Sequence, residues 1–246
     1  MISLNDLRKF KAEGRKFSCL TCYDASMAKA MELAEIDTIL IGDSLGMAIQ
    51  GRDSTLPVTV EDMAYHTAAV RRGNQHALIM TDLPFMSYAT LNDALQSSKV
   101  VMQAGAQMVK VEGGAWLAET VQVLTRNGIP VCVHLGLTPQ SVHVFGGYKL
   151  QARTREAADQ LIADCQAVVD AGAAVLLLEC VPAQLGKEIS ELFPHVPVIG
   201  IGAGVDTDGQ VLVVQDMLGL TFGRVAKFVR NFMREQAGEW AMLDAF

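Results

Sequence analysis

Residues 108–134 read MVKVEGGAWLAETVQVLTRNGIPVCVH, and this stretch decides the fold. A short apolar run at 108–112 precedes a helix-like segment at 116–127, and a second apolar run follows at 131–134. Near-continuous apolar strands that alternate with helices are typical of a parallel sheet covered by helices. The stretch therefore predicts one β–α–β unit.

The same alternation continues in both directions along the chain. Eight strand candidates are predicted, at 17–21, 38–41, 77–81, 108–112, 131–134, 174–179, 198–201 and 211–215. Further helix candidates lie at 26–35, 60–72, 92–103, 155–171 and 183–192. Eight such strands in 246 residues favour a closed (β/α)₈ TIM barrel, whose usual size is about 250 residues. We expect a single catalytic domain over residues 1–246, because no linker, repeat or low-complexity segment interrupts the alternation.

Three segments lie outside the regular alternation. An N-terminal helix is predicted, capped by Ser3 with Asp6 in its first turn and stopped at Gly14, and we expect it to plug the barrel or join a subunit contact. Only residues 202–210 separate the last two strand candidates, so we expect a shortened or lost seventh helix. A helix is also predicted after the eighth strand, from an apolar stripe. Its members are Val225, Phe228, Val229, Phe232 and Met233.

The composition excludes several classes of protein. The 20 basic and 27 acidic side chains give a net charge of −7, which argues against a nucleic-acid surface. The most apolar run, 171–178, is far shorter than the roughly 20 residues that span a bilayer, and the N-terminus lacks the apolar core of a secretion signal. Most of the five cysteines lie in apolar surroundings, which argues against a disulfide framework. We expect a cytoplasmic globular protein with no nucleic-acid or membrane partner.

Ionisable side chains lie at the carboxyl ends of five consecutive strand candidates, where the active sites of such barrels are found. Any one of them alone is more often a helix cap or a turn residue, but five together predict a site. The candidates are Asp43 with the neighbouring Ser44, Asp82, Lys110 with Glu112, His134 and Glu179.

The spacing within the fourth strand sharpens this prediction. Lys110 and Glu112 are two residues apart, so they share the face that points into the barrel, and a buried structural ion pair is a competing explanation for them. Asp43 and Asp82 with Glu112 would form an oxygen-rich site that suits Mg²⁺ better than Zn²⁺. Such an ion would accept a 2-oxo acid and stabilise its enolate.

Nine ordered motifs resemble those of the ketopantoate hydroxymethyltransferase family, and the match runs from about residue 17 to residue 232. Because several of these motifs are long, a chance match is negligible. They are IGDSLG at 41–46, DSTLPVT at 53–59, YHTAAVRRG at 65–73, DLPFM at 82–86, VKVEGG at 109–114, HLGLTPQS at 134–141, FGGYK at 145–149, LECVP at 178–182 and VIGIGAG at 198–204.

The resemblance implies transfer of a one-carbon unit from 5,10-methylenetetrahydrofolate to 3-methyl-2-oxobutanoate, giving 2-dehydropantoate in pantothenate and coenzyme A synthesis. It also implies a Mg²⁺-dependent barrel that forms a homo-oligomer, usually a decamer. The roles it implies are metal ligation by Asp43 and Asp82 with Glu112 completing the site, binding of the oxo acid's carboxylate by Ser44 and Lys110, proton acceptance by Glu179 and lining of the pocket by His134.

The chain departs from the family pattern at Val205, where the family often has Asn, and it stops at Phe246, where many relatives continue. Two other interpretations of the protein's function compete with this one. A carbon–carbon lyase or mutase of the phosphoenolpyruvate mutase and isocitrate lyase type would share the barrel, but its usual cysteine loop is missing from residues 142–155. A non-catalytic barrel serving as an assembly subunit would have no reason to gather so many charges at one mouth.

Overall fold

Eight parallel strands close into a barrel in chain order, so the predicted (β/α)₈ TIM barrel is confirmed. The computed structural model describes residues 1–238 and 241–246. The strands are β1 (Phe17–Thr21), β2 (Thr38–Ile41), β3 (Leu78–Asp82), β4 (Met108–Glu112), β5 (Val131–Gly136), β6 (Val175–Glu179), β7 (Val198–Ile201) and β8 (Gly209–Leu212).

Helices surround this barrel and follow most of its strands. They are α1 (Leu4–Ala12), α2 (Ala25–Leu33), α3 (Leu45–Ala48), α4 (Val60–Gly73), α5 (Leu91–Ala104), α6 (Ala118–Arg126), α7 (Val142–Phe145), α8 (Arg155–Asp170), α9 (Ala183–Leu192), α10 (Val214–Met217) and α11 (Ala241–Ala245). Short 3₁₀ turns lie at Ala115–Leu117, Pro139–Ser141 and Phe232–Glu235. Across the described part of the chain, every helix is too short or too polar to cross a bilayer.

The N-terminal helix forms as the sequence predicts. Ser3 Oγ accepts a hydrogen bond from the Asp6 backbone at 3.3 Å, and the Asp6 carboxylate accepts one from the Ser3 backbone at 2.8 Å. On its inner side, Leu7 and Phe10 are buried in the same apolar cluster as the side chains that fill the barrel. The helix therefore plugs the bottom of the barrel, one of the two roles expected for it.

Four strands, β1, β2, β4 and β7, have the predicted bounds, whereas β8 begins two residues and ends three residues earlier than predicted. The prediction followed the β-branched run at 211–215, but pairing with β1 begins at Gly209, opposite Phe17. A Cβ atom at Gly209 would lie 2.4 Å from the Phe17 ring, so only glycine fits there. Val214 already belongs to α10, and its backbone N–H donates to Thr21 Oγ1 at 3.0 Å.

The two expectations for the last quarter of the barrel have opposite outcomes. Residues 202–208, all of them described, contain no helix, so the shortened seventh crossover is confirmed. The helix predicted from the stripe at 225–233 is wrong, because residues 221–231 have an irregular backbone. The Phe228 ring packs on Gly202 at the barrel mouth, where a Cβ atom would lie 2.8 Å from it. Contacts with the mouth therefore override the helical period in this segment.

The alternation of side chains along the strands separates two apolar layers. Side chains inside the barrel, among them Leu40, Met108 and Leu177, pack in one cluster with α1. Side chains on the outer face, such as Val109 and Val111, pack in a second cluster with the helices. Because Val109 and Val111 point outward, Lys110 and Glu112 point into the barrel.

Candidate active site

A cavity of about 570 Å³ opens at the carboxyl ends of the strands. Its lining includes all seven residues that the sequence singles out, so the structure brings the whole predicted set together. They are Asp43, Ser44, Asp82, Lys110, Glu112, His134 and Glu179.

Strand register sets the neighbours within this set. Asp82 of β3 pairs with Lys110 of β4, and Glu112 of β4 pairs with His134 of β5. Paired residues of parallel strands lie side by side, so each of these two acids lies next to a basic side chain. Opposite charges on neighbouring strands thus meet inside the barrel.

Lys110 lies at the centre of the buried charges and is only 3% exposed. Its Nζ is 2.8 Å from Asp82 Oδ1, 3.5 Å from Glu112 Oε1 and 3.2 Å from His134 Nδ1. Burial acts to lower the pKa of Lys110, but attraction by Asp82, Glu112 and Asp43 outweighs burial and raises it. Lys110 is therefore a fixed positive charge.

The three buried acids differ in their surroundings. Burial raises the pKa of Asp43 well above its usual range, and the charges of Asp82 and Glu112 raise it further. Burial also raises the pKa of Asp82, although the Lys110 ammonium opposes the shift. Burial acts in the same direction on Glu112, but Lys110 and His134 together lower its pKa. Asp43 is thus the acid with the least compensation from the protein.

His134 connects Glu112 with Glu179. Its Nδ1 lies 3.2 Å from Glu112 Oε1, and its Nε2 lies 3.2 Å from Glu179 Oε2. Burial and the Lys110 charge act to lower the pKa of His134, whereas Glu112 and Glu179 raise it, and the result is a pKa of about 9. At neutral pH the imidazole is therefore protonated: its Nδ1–H donates to Glu112 Oε1, and its Nε2 side forms an ion pair with Glu179.

Gln140 holds two of the acids and was not predicted to have a role. Its Nε2 donates to Asp43 Oδ2 at 2.8 Å and to the Leu83 carbonyl at 3.0 Å, and its backbone N–H donates to Glu112 Oε2 at 2.9 Å. Tyr88 donates its hydroxyl to Gln140 Oε1 at 2.5 Å. Gln140 follows β5 within a loop, where no periodicity marks a residue as inward-pointing.

Two tyrosines lie at the site: Tyr148 lines the cavity, and Tyr23 contacts Ser44, which lines it. The Tyr23 hydroxyl lies 2.8 Å from Ser44 Oγ, and Tyr148 extends over the mouth, where its hydroxyl is 3.8 Å from Met47 Sδ. Tyr23 comes two residues after β1, so the strand-end rule could have identified it if it had been applied to the first strand. Tyr148 follows Gly147 in the FGGYK motif, which gives no signal of its position.

Gly136 supports the backbone of Glu179. The two residues pair between β5 and β6, and Gly136 has φ +85°. A Cβ atom at Gly136 would lie 2.4 Å from the Glu179 carbonyl oxygen, which belongs to a strand and cannot move aside easily. The position thus needs both the conformation and the small size of glycine.

Gly136→Ala is expected to lower both stability and activity. Gly128→Ala is the matched control, because Gly128 has φ +80° but nothing within 4 Å of its Cβ position. Positive φ should cost each variant about 1–2 kcal/mol, and the clash should add at least about 1 kcal/mol in Gly136→Ala alone. Denaturant unfolding measures the free energy of unfolding of both variants. Equal losses of this free energy would show that the Glu179 backbone moves aside without cost.

The balance of acidic and basic side chains around the cavity favours binding of a cation. Four acids at the strand ends face only two basic side chains, Lys110 and His134, and the raised pKa of Asp43 reflects the shortage of positive charge beside it. In the described part of the chain, no three His, Cys, Asp or Glu side chains converge as metal ligands. Mg²⁺ usually takes one or two carboxylates and completes its shell with water and substrate oxygens, so Asp43 and Asp82 fit such an ion.

The barrel is similar to several solved structures in fold. A phosphonopyruvate hydrolase solved in complex with oxalate and Mg²⁺ has a TM-score of 0.67 at 13% identity, covering 89% of this chain and 84% of that one. A phosphonomutase-like protein from Burkholderia cenocepacia J2315 has a TM-score of 0.67 at 16% identity, covering 89% and 95%. At these identities the likeness shows the fold alone.

Sequence relatives are far more similar. A 3-methyl-2-oxobutanoate hydroxymethyltransferase of Acinetobacter baumannii (strain AYE) is 92% identical over 246 residues, covering 100% of this chain and 91% of the relative. The protein of that name from Psychrobacter sp. (strain PRwf-1) is 64% identical over 244 residues, covering 98% and 90%. The family profile described as ketopantoate hydroxymethyltransferase matches residues 1–244. The chain belongs to the ketopantoate hydroxymethyltransferase family.

Proposed function

We propose that this protein is a 3-methyl-2-oxobutanoate hydroxymethyltransferase of pantothenate synthesis. It transfers the methylene carbon of 5,10-methylenetetrahydrofolate to C3 of 3-methyl-2-oxobutanoate, and water supplies the hydroxyl group. The products are 2-dehydropantoate and tetrahydrofolate. The observation that carries the proposal is the single cavity in which acids, a lysine and a histidine meet at the barrel mouth of a chain from this family.

Asp43 and Asp82 would hold Mg²⁺, and Glu112 would contact it through water. Both Glu112 oxygens already accept from His134 or from the Gln140 backbone, which favours an indirect contact. The bound cation would supply Lewis-acid polarisation of the keto group. Gln140 would fix the Asp43 carboxylate, because it binds one of its oxygens and leaves the other free for ligation.

Ser44 and Lys110 would bind the carboxylate of the oxo acid. Both line the inner cavity, and Lys110 provides the positive charge that an anionic substrate needs among so many acids. The Ser44 hydroxyl lies 2.8 Å from the Tyr23 hydroxyl, which would orient it toward the substrate. A desolvated Lys110 can form a strong charge-assisted hydrogen bond to a carboxylate.

Glu179 would remove the proton from C3. It lies at the end of β6, and its Oε2 faces the His134 Nε2–H, so Oε1 is left to accept a proton. His134, already protonated, would orient Glu179 and line the pocket without acting as a base. The carboxylate at the mouth thus takes the base role.

Three wider features belong to the same proposal. The catalytic unit would be the single barrel domain, working in the cytoplasm on small-molecule substrates with no nucleic-acid or membrane partner. The protein would form a homo-oligomer, a decamer by resemblance to its family.

A direct assay tests the function. The protein with Mg²⁺, 3-methyl-2-oxobutanoate and 5,10-methylenetetrahydrofolate should form 2-dehydropantoate, detected by mass spectrometry, and EDTA should stop its formation. Phosphonopyruvate turnover is measured in parallel, because the fold is shared with enzymes that act on it. Turnover of phosphonopyruvate without formation of 2-dehydropantoate would overturn the proposal.

Removal of either metal-binding carboxylate should weaken Mg²⁺ binding. Asp43→Asn and Asp82→Asn are each expected to reduce Mg²⁺ affinity by more than about 100-fold, since losing even an outer-shell partner can cost 10–100-fold. Isothermal titration measures the affinity without requiring turnover. Asp206→Asn, in an exposed turn remote from the cavity, is the matched control and should bind Mg²⁺ normally. Unchanged binding in both cavity variants would place the metal elsewhere.

A further inference from the structure

The outer half of the cavity differs in character from its inner half. The inner end is closed by the buried acids and Lys110, whereas the outer end is lined by exposed aromatic side chains and by two arginines. Tyr148 is 56% exposed and Phe228 is 43% exposed, although both line a concave surface. Arg52 and Arg224 stand at the same rim.

The inner half is too acidic for a second anionic substrate. The oxo acid, with five carbon atoms, occupies only part of a cavity of about 570 Å³. The buried carboxylates would repel any further negative charge from the inner end. A larger co-substrate that carries carboxylates must therefore place its uncharged part inward and its charged part at the rim.

We propose that the outer half of the cavity binds the folate co-substrate, with its ring system beside Tyr148 and Phe228 and its glutamate carboxylates at Arg224, assisted by Arg52. The inference rests on the proposed function and names residues that the sequence did not reveal. The methylene carbon is then on the inward part of the co-substrate, facing the oxo acid and Glu179.

Two aromatic side chains are held in place at the rim from separate loops. The Phe228 ring packs on Gly202, which follows β7, and the Tyr148 hydroxyl contacts Met47, which follows β2. Aromatic faces held in this way bind a flat heteroaromatic ring by stacking. The packing of Phe228 at the cavity also explains why the helix predicted at 225–233 does not form.

Arg224 is the cation best placed to bind a carboxylate. Among the side chains that the structure describes, which leave out those of residues 235, 239 and 240, none forms a hydrogen bond or ion pair with it, whereas Arg52 Nε already donates to Gln50 Oε1 at 2.7 Å. Two acids share the rim: Asp216 accepts from the Thr221 hydroxyl at 2.5 Å, and Asp53 is exposed. A free guanidinium at the rim can bind a carboxylate through two hydrogen bonds.

The test varies the tail of the co-substrate and the arginine together. The kcat/KM is measured with 5,10-methylenetetrahydrofolate and with the methylene derivative of tetrahydropteroyl amide, which keeps the rings and lacks the carboxylates. Arg224→Gln should lower kcat/KM about five-fold for the folate, as expected for a partly exposed ion pair, and less than about two-fold for the amide. Phe228→Leu should lower both values alike, because it changes the ring contact. Arg126→Gln, at the end of α6, is the control and should change neither.

Equal losses for the two co-substrates in Arg224→Gln, or no loss for either, would overturn the inference. Equilibrium binding of tetrahydrofolate gives a second measure and should weaken by the same factor as kcat/KM in Arg224→Gln. Deuterium exchange at C3 of the oxo acid, measured without folate, reports the inner site separately. A wild-type protein that shows neither exchange nor turnover would refute the proposed function. An active enzyme whose kcat/KM does not change in Arg224→Gln would refute only the binding of the glutamate carboxylates by Arg224.

Discussion

Glu179→Gln should slow deuterium exchange at C3 of 3-methyl-2-oxobutanoate by at least about 100-fold, the lower end of what a general base contributes. The amide keeps the shape of the side chain and its contact with His134, but it cannot accept the proton. Exchange is followed by NMR in D₂O with Mg²⁺ and without folate, so only deprotonation is measured. Binding of the oxo acid should persist, because Ser44 and Lys110 are unchanged.

Glu191→Gln on α9 provides the matched control, since it is the same change on an exposed side chain. It should exchange C3 at the wild-type rate. Exchange at that rate in Glu179→Gln as well would assign the base elsewhere. His134 would be the next candidate, but it already carries a proton at neutral pH because its pKa is about 9.

The sequence predicted where the ionisable side chains at the barrel mouth lie, because two strong geometric rules determine their placement. Strand alternation decides whether a side chain points inward, and the carboxyl ends of parallel strands meet at one mouth. Lys110 and Glu112 illustrate this, since their spacing alone places both inside the barrel beside the neighbouring acids. The contact of Lys110 with Asp82 then follows from strand register, and its contact with Glu112 follows from their spacing within β4.

The rest depends on contacts between residues far apart in sequence. Gln140 reaches Asp43 across 97 positions, and the conformation of its loop gives no periodic signal. The stripe that contains Phe228 has a clear helical period, yet packing on Gly202 prevents a helix. The start of β8 at Gly209 likewise depends on the Phe17 ring. Local sequence patterns therefore indicate that a strand or loop is present, but they do not determine where it begins or what it contacts.

The structural ion pair and the functional site, posed as alternatives for Lys110, prove compatible in the structure. Lys110 neutralises Asp82 and Glu112 in a buried setting, as a structural pair would. The same ammonium lines the cavity that Ser44 also lines, as a substrate-binding group would. A substitution at Lys110 should therefore change both stability and binding.

Lys110→Met is expected to lower the free energy of unfolding by about 3–5 kcal/mol, because it leaves buried carboxylates without their partner. It should also weaken oxo-acid binding strongly, since the desolvated positive charge is lost. Urea unfolding measures the first effect. Titration of the folded variant with the oxo acid measures the second at a temperature well below its Tm.

Lys11→Met is the matched control, since Lys11 Nζ forms an ion pair with Asp208 at 2.6 Å at the other end of the barrel. It should lower stability by less than Lys110→Met and leave oxo-acid binding unchanged.

The pH dependence of stability separates the causes of the loss in Lys110→Met. Burial already raises the pKa of Asp82 and Lys110 is the main opposing charge, so without Lys110 the folded state holds the Asp82 proton to a higher pH than the unfolded chain does. The stability deficit of Lys110→Met should consequently shrink as the pH falls through this raised pKa. If the loss in the free energy of unfolding is constant with pH, lost packing destabilises the variant, and not the carboxylates left without a positive partner.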